Sequence, residues 1–193
     1  MKISFLASHG GSSARKIIDT IERGDLPGFS VGILITNNGN SAIYSWCREH
    51  GIEVFHISSR THPSNEDETI RNTLTAAGSE LIVLSGYMKK IGPMTLSAFS
   101  GKILNIHPAL LPKFGGQGMY GDWVHAAVLE SNETESGATV HFVNDAYDEG
   151  PIILQKKVPV FPGDTVESLG QRVRSIESDL YIDALKKLEH IDC

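Results

Sequence analysis

The run Glu80-Leu81-Ile82-Val83-Leu84 decides the fold. Its four consecutive aliphatic residues are too few for a helix of usual length, and they lack the polar alternation of a strand with one wet face. Such a run suits a strand buried on both sides, the setting of a parallel sheet covered by helices. Working outward, Lys2 to Ala7, Phe29 to Thr36 and Ile52 to Ile57 read as strands on its N-terminal side. Between them lie helical patterns through Lys16, Ile17, Ile18 and Ile21, and through Ile43, Tyr44, Trp46 and Cys47, the second following the Asn37-Asn38-Gly39-Asn40 turn and closing at Gly51. The polar stretch Thr61 to Glu68 leads into a third helix.

Beyond the central run come a short helix from Pro93 to Phe99 and a strand from Lys102 to Ile106. A loop from Ala109 to Gly121, with four glycines and a proline, is of a length usually tied to function or motion. A helix around Trp123 to Leu129, strands at Gly137 to Val143 and Ile152 to Val160, and a long helix from Thr165 to about Leu188 complete the chain. Asp164-Thr165 with Glu167-Ser168 is a helix start. The pattern predicts a single-domain, Rossmann-like α/β fold over 1–193, with a mostly parallel seven-stranded sheet and helices on both faces.

The 193 residues suffice for one core, with 40% hydrophobic and 21% charged residues excluding a disordered chain. With 17 Lys and Arg against 23 Asp and Glu and no basic cluster, the net charge of −6 argues against a nucleic-acid partner. No run approaches the roughly 18 apolar residues of a membrane span, and Met1 to Ser8 run into a strand without the pattern of a signal peptide. Cys47 and Cys193 fit no CxxC or zinc pattern and read as reduced thiols. The expectation is a cytoplasmic protein with small-molecule partners, a monomer or homodimer.

Three segments carry candidate chemistry. Ser8-His9-Gly10-Gly11-Ser12-Ser13 joins a strand to a helix; it suits a phosphate, through glycine freedom and helix-end amides, or is a plain turn with a serine cap. Asn105-Ile106-His107-Pro108 ends a strand. Residues i and i+2 share a face, so an amide donor stands beside a titratable imidazole where open α/β sheets bind ligands. The alternative is a satisfied structural histidine, but Pro108 and the glycine-rich loop favour a site. Tyr147-Asp148-Glu149-Gly150-Pro151 is a turn whose acids are either solvated or functional, and His141, in the strand before it, reads as a packed, hydrogen-bonded residue.

Taken together, Asn105-Ile106-His107-Pro108-Ala109-Leu110-Leu111-Pro112-Lys113-Phe114, Gly137-Ala138-Thr139-Val140-His141-Phe142-Val143 and Asp148-Glu149-Gly150-Pro151-Ile152-Ile153-Leu154-Gln155 closely resemble the formyltransferase family. The resemblance extends over essentially the whole chain, including Ser85-Gly86-Tyr87-Met88, Pro159 to Thr165 and Glu177. Larger members carry an additional domain, and the length favours the small ones.

The resemblance implies transfer of a formyl group from 10-formyltetrahydrofolate, as co-substrate, to the amine of glycinamide ribonucleotide, with no metal. It implies that Asn105, His107 and Asp148 are catalytic, that Gly10, Gly11, Ser12, Ser13 and Glu177 hold the ribonucleotide, and that Met88, Lys89, Lys90, Ile91, Val143 and Asn144 frame the folate. Nucleotide binding is thereby assigned to the N-terminal part, and folate binding and catalysis to the C-terminal part. A carboxylate near His107 is expected to raise its pKa. The phosphate loop departs from the family pattern, with His9 at a usual glycine and Ser13 at a usual asparagine, and Lys89-Lys90 replaces an arginine and an apolar residue. The alternatives are therefore a formyltransferase for an amino sugar or another phosphorylated amine, or a ligand-binding relative without turnover.

Overall fold

The computed structural model describes residues 1–189, so the predicted free thiol of Cys193 lies outside the described residues. The chain gathers into two compact units, Met1–Leu104 and Asn105–Cys193.

The first unit contains β1 (Lys2–Ala7), α1 (Ser12–Glu22), β2 (Ser30–Thr36), α2 (Ala42–Glu49), β3 (Val54–His56), α3 (Glu66–Ala76), β4 (Leu81–Ser85), α4 (Pro93–Ala98) and the start of β5 (Ile103–His107). β1 pairs in parallel with β2 and β4, β2 with β3, and β4 with β5. All five residues of β4 are buried, as its apolar run predicts. β3 is shorter than predicted because it is the last strand in the order and pairs with only Leu34 to Thr36 of β2. Ala14, Ile17 and Ile18 give α1 its buried stripe at i, i+3 and i+4. The side chain of Ser41 caps α2 by accepting the Tyr44 N–H.

The second unit contains the end of β5, α5 (Asp122–Glu130), β6 (Glu135–Phe142), β7 (Ile152–Pro159) and α6 (Val166–Glu189). β6 and β7 form an antiparallel hairpin, with Glu135 opposite Pro159 and Val140 opposite Leu154. Gly150 is required where the hairpin connection closes, because a Cβ there would collide with the Phe142 carbonyl oxygen. α6 begins on a reciprocal cap: Thr165 N–H donates to Ser168 Oγ and Ser168 N–H donates to Thr165 Oγ1. Its Leu169, Val173, Leu180, Ala184 and Leu185 are buried, and Lys187 Nζ donates to the Ile153 carbonyl at 2.9 Å.

The strand order is β3-β2-β1-β4-β5-β6-β7, seven strands in which β1 to β5 pair in parallel and β7 runs antiparallel to β6. The expected α/β class and mostly parallel sheet are present. Among the described residues no helix is long and apolar enough to cross a membrane.

Candidate active site

β5 leaves the sheet with Asn105 and His107 two positions apart, and the connection from β6 to β7 brings Asp148 to the same place. Asp148 has φ 58, a left-handed conformation that aspartate tolerates better than most side chains. Its Oδ2 lies 3.4 Å from His107 Nδ1 and accepts the Gly116 N–H at 3.0 Å. Its Oδ1 lies 3.6 Å from His141 Nε2. That same His141 nitrogen is 3.3 Å from Asn105 Nδ2. The three predicted catalytic residues therefore meet, and His141 joins Asn105 to Asp148.

Backbone carbonyls select the tautomers. The Phe114 carbonyl can only accept, so His107 Nε2 carries the hydrogen it donates across 2.7 Å. The Phe142 carbonyl likewise takes the hydrogen of His141 Nδ1 at 2.9 Å. In the neutral rings, His107 Nδ1 and His141 Nε2 are then bare, and each faces one oxygen of Asp148. One further proton at this carboxylate, or on either facing nitrogen, turns a lone-pair repulsion into a hydrogen bond. Such an arrangement can accept one proton.

Burial corrects one expectation. Asp148 and the Phe114 carbonyl do raise the His107 pKa, but His107 is only 3% exposed and desolvation of the imidazolium outweighs both, so its pKa lies below the ordinary value. His141 is lowered too, by burial first, with the Phe142 carbonyl and Asp148 opposing. The motif identified the carboxylate partner and carried no measure of how dry the pocket is.

His141 is packed and hydrogen-bonded, as read, and it is also part of the cluster. Its spacing of two from Thr139 was the available signal: Thr139 Oγ1 donates to the Ala109 carbonyl and accepts the Leu111 N–H, fixing the segment just after His107. The contributions of the Phe114 carbonyl and the Gly116 amide escaped the sequence reading because both are backbone groups. Among the described residues, no group of three or more His, Cys, Asp or Glu is placed to hold a metal ion.

The remaining candidates are distributed over the two units. Gly10 and Gly11 lie in the turn between β1 and α1, and Ser12 and Ser13 open the helix; Gly11 has φ 57 and a Cβ there would be only 2.7 Å from Ile43 Cγ1, so glycine is required. Ser12 is exposed and Ser13 buried. Met88, Lys89 and Lys90 are exposed in the loop after β4, whereas Ile91 is buried. The Met88 N–H donates to Ser8 Oγ at 2.8 Å, joining this loop to the residue that follows β1 inside the first unit. In the second unit, Val143 is half-buried and Asn144 exposed, in the same connection as Asp148.

Glu177 is half-buried on α6, and burial pushes its carboxyl up to about 7 against a counteracting Arg174. The folded protein holds this proton to about pH 7 and the unfolded chain releases it near 4.5, so stability falls as the pH rises between those values. Glu177→Gln is expected to melt with the native protein at pH 4.5 and to be more stable at pH 8, by on the order of 2 kcal/mol after allowance for solvent screening. Thermal melts across that range check this; a difference independent of pH would contradict it.

A family model described as formyl transferase matches residues 1–185. The chain belongs to the formyl transferase family. Among curated relatives, phosphoribosylglycinamide formyltransferase from Haemophilus influenzae is 38% identical over 184 residues, covering 93% of this chain and 83% of the relative. The chloroplastic phosphoribosylglycinamide formyltransferase of Arabidopsis thaliana is 40% identical over 187 residues, covering 95% of this chain. The chain spans 64% of that plant relative and 60% of its Vigna unguiculata counterpart. Among solved structures, glycinamide ribonucleotide transformylase 1 from Symbiobacterium toebii superimposes with a TM-score of 0.89 at 35% identity, covering 98% of this chain and 88% of that one. The formyl transferase assignment thus embraces both units.

Proposed function

We propose that this formyl transferase passes a formyl group from 10-formyltetrahydrofolate to the primary amine of glycinamide ribonucleotide, the reaction of a phosphoribosylglycinamide formyltransferase in purine synthesis. The observation that carries the reading is the convergence of Asn105, His107 and Asp148 on one proton-holding cluster. The names of the relatives support the same acceptor. The proposed compartment is the cytoplasm.

The folate supplies an activated formyl carbonyl, whose oxygen gains negative charge as the amine attacks. Asn105 Nδ2–H and His107 Nε2–H are the donors for that oxygen, the second released by the Phe114 carbonyl, and a well-placed donor contributes about 2.7 to 4 kcal/mol to such a step. Asp148 and the bare His107 Nδ1 hold the proton that leaves the amine and is needed at the departing nitrogen. Burial keeps His107 neutral until that proton arrives. Gly10, Gly11, Ser12 and Ser13 offer amides and hydroxyls to the phosphate, and Glu177 a carboxyl to the nucleotide. Met88, Lys89, Lys90, Ile91, Val143 and Asn144 frame the folate, Ile91 giving an apolar wall.

His9 is exposed at the phosphate loop and supports a second reading, in which the acceptor is another phosphorylated amine. Release of tetrahydrofolate from 10-formyltetrahydrofolate, measured with glycinamide ribonucleotide and with an amino sugar phosphate, separates the two. Release with glycinamide ribonucleotide is expected; release with the sugar alone transfers the reading to the second acceptor, and release with neither ends both. Ser12→Asp is expected to raise KM for the phosphorylated amine at least tenfold and to leave KM for folate within twofold, since it puts a like charge beside the phosphate. Equal changes in both constants would remove the phosphate from this loop.

A further inference from the structure

Within the first unit, β1 and β4 lie side by side with Ala7 opposite Ser85. The pairing runs one step past the strands, the Ser8 N–H donating to the Gly86 carbonyl at 3.3 Å, and there the two chains part. One enters the Gly10–Gly11 turn and α1; the other passes through left-handed Gly86, at φ 63, into the loop that carries Met88, Lys89 and Lys90. Two serines bridge the gap in opposite senses. Ser8, on the first chain, accepts the Met88 N–H on its Oγ at 2.8 Å. Ser85, on the second, accepts the Ala14 N–H on its Oγ at 3.0 Å. Both serines are buried, so losing either hydroxyl strands an amide that water does not readily reach.

Each bond supplies what the receiving segment lacks. The N-cap of α1 is Gly11, which has no side chain to cap the helix, and the Ala14 amide in its first turn is satisfied from β4 instead. Met88, Lys89 and Lys90 are exposed, so side-chain packing does little to fix that loop, and the Ser8 bond sets its backbone at Met88.

We propose, on the reading that these two segments hold the phosphorylated amine and the folate, that Ser8 and Ser85 are positioning residues that couple the two sites. A phosphate that orders the Gly10–Ser13 segment also orders the start of the folate loop through the exchanged bonds, which leaves the folate less to order when it binds. Linkage makes the effect reciprocal: each ligand tightens the other by the same factor.

Calorimetric titration of the whole protein with a non-transferring analogue of 10-formyltetrahydrofolate, with and without saturating glycinamide ribonucleotide, measures that factor. The native protein is expected to bind the analogue about tenfold more tightly when the ribonucleotide is present. Ser8→Ala and Ser85→Ala should each bring the ratio to within about twofold of unity, whatever they do to either affinity alone. Each variant decides the matter if the other does not fold. Ser4→Ala is the control: Ser4 is also buried on β1, but its hydroxyl meets Ser79 Oγ and the Ile33 N–H and neither substrate segment, so the ratio should keep its native value. A merely structural role would lower affinities and leave the ratio alone. Amide hydrogen exchange at Met88 should slow when glycinamide ribonucleotide alone is bound to the native protein. A native ratio of unity, a native ratio retained in both Ser8→Ala and Ser85→Ala, an equal loss in Ser4→Ala, or Met88 exchange unchanged by the ribonucleotide would each overturn the coupling. Failure of the native protein to bind either ligand is a different result, which removes the substrate assignment itself and the coupling with it.

Discussion

His107→Ala will lower kcat on the order of 10²-fold or more with the fold intact, the scale of a lost general acid–base group. The side chain is 3% exposed, donates to the Phe114 carbonyl and faces the Asp148 carboxylate, so its removal leaves both without the ring that lies between them. Asp148 keeps its Gly116 N–H bond, and Leu111 keeps its ties to Thr139 and Gln155, which is why the surrounding loop should survive. Steady-state rates beside a circular-dichroism melt check this. Unchanged kcat in a folded variant would take His107 out of the reaction.

Asp148→Asn is expected to be as damaging to kcat, by about 10²-fold, while costing little stability. The amide oxygen can still accept the Gly116 N–H, so the left-handed turn at 148 retains its anchor. What disappears is the negative charge facing two bare ring nitrogens. Asp148 is a raising influence on His107 and on His141, so both pKa values should fall further in the variant. The sign is definite: the His107 signal should titrate at lower pH in Asp148→Asn than in the native protein. A His107 titration unchanged by the substitution would mean that the carboxylate does not act on this ring, whatever the distance between them.

The order of strands and helices was readable because it rests on local regularities: the apolar run at 81–84, the stripe of Ala14, Ile17 and Ile18, and the cap at Thr165 and Ser168. Asn105 and His107 were readable as a pair because a strand has a period of two. Asp148 was not derivable from spacing; the resemblance supplied it, and its left-handed backbone is invisible in a side-chain alphabet. The proton-holding arrangement was illegible for a related reason. It depends on the Phe114 and Phe142 carbonyls choosing the histidine tautomers, and any residue type can present a carbonyl. The direction of the His107 pKa was misjudged because it is a contest between a neighbour and a dry environment, and only the neighbour leaves a mark in the sequence.

The central claim is that formyl transfer takes place at the Asn105, His107 and Asp148 cluster. A crystal structure of the protein with glycinamide ribonucleotide and a non-transferring analogue of 10-formyltetrahydrofolate tests it most directly. The predicted result has the analogue's formyl-position oxygen within about 3 Å of Asn105 Nδ2 and of a His107 ring nitrogen, with the amine facing the same carbon. Both ligands ordered at full occupancy, with that oxygen far from Asn105 and His107, would contradict the account.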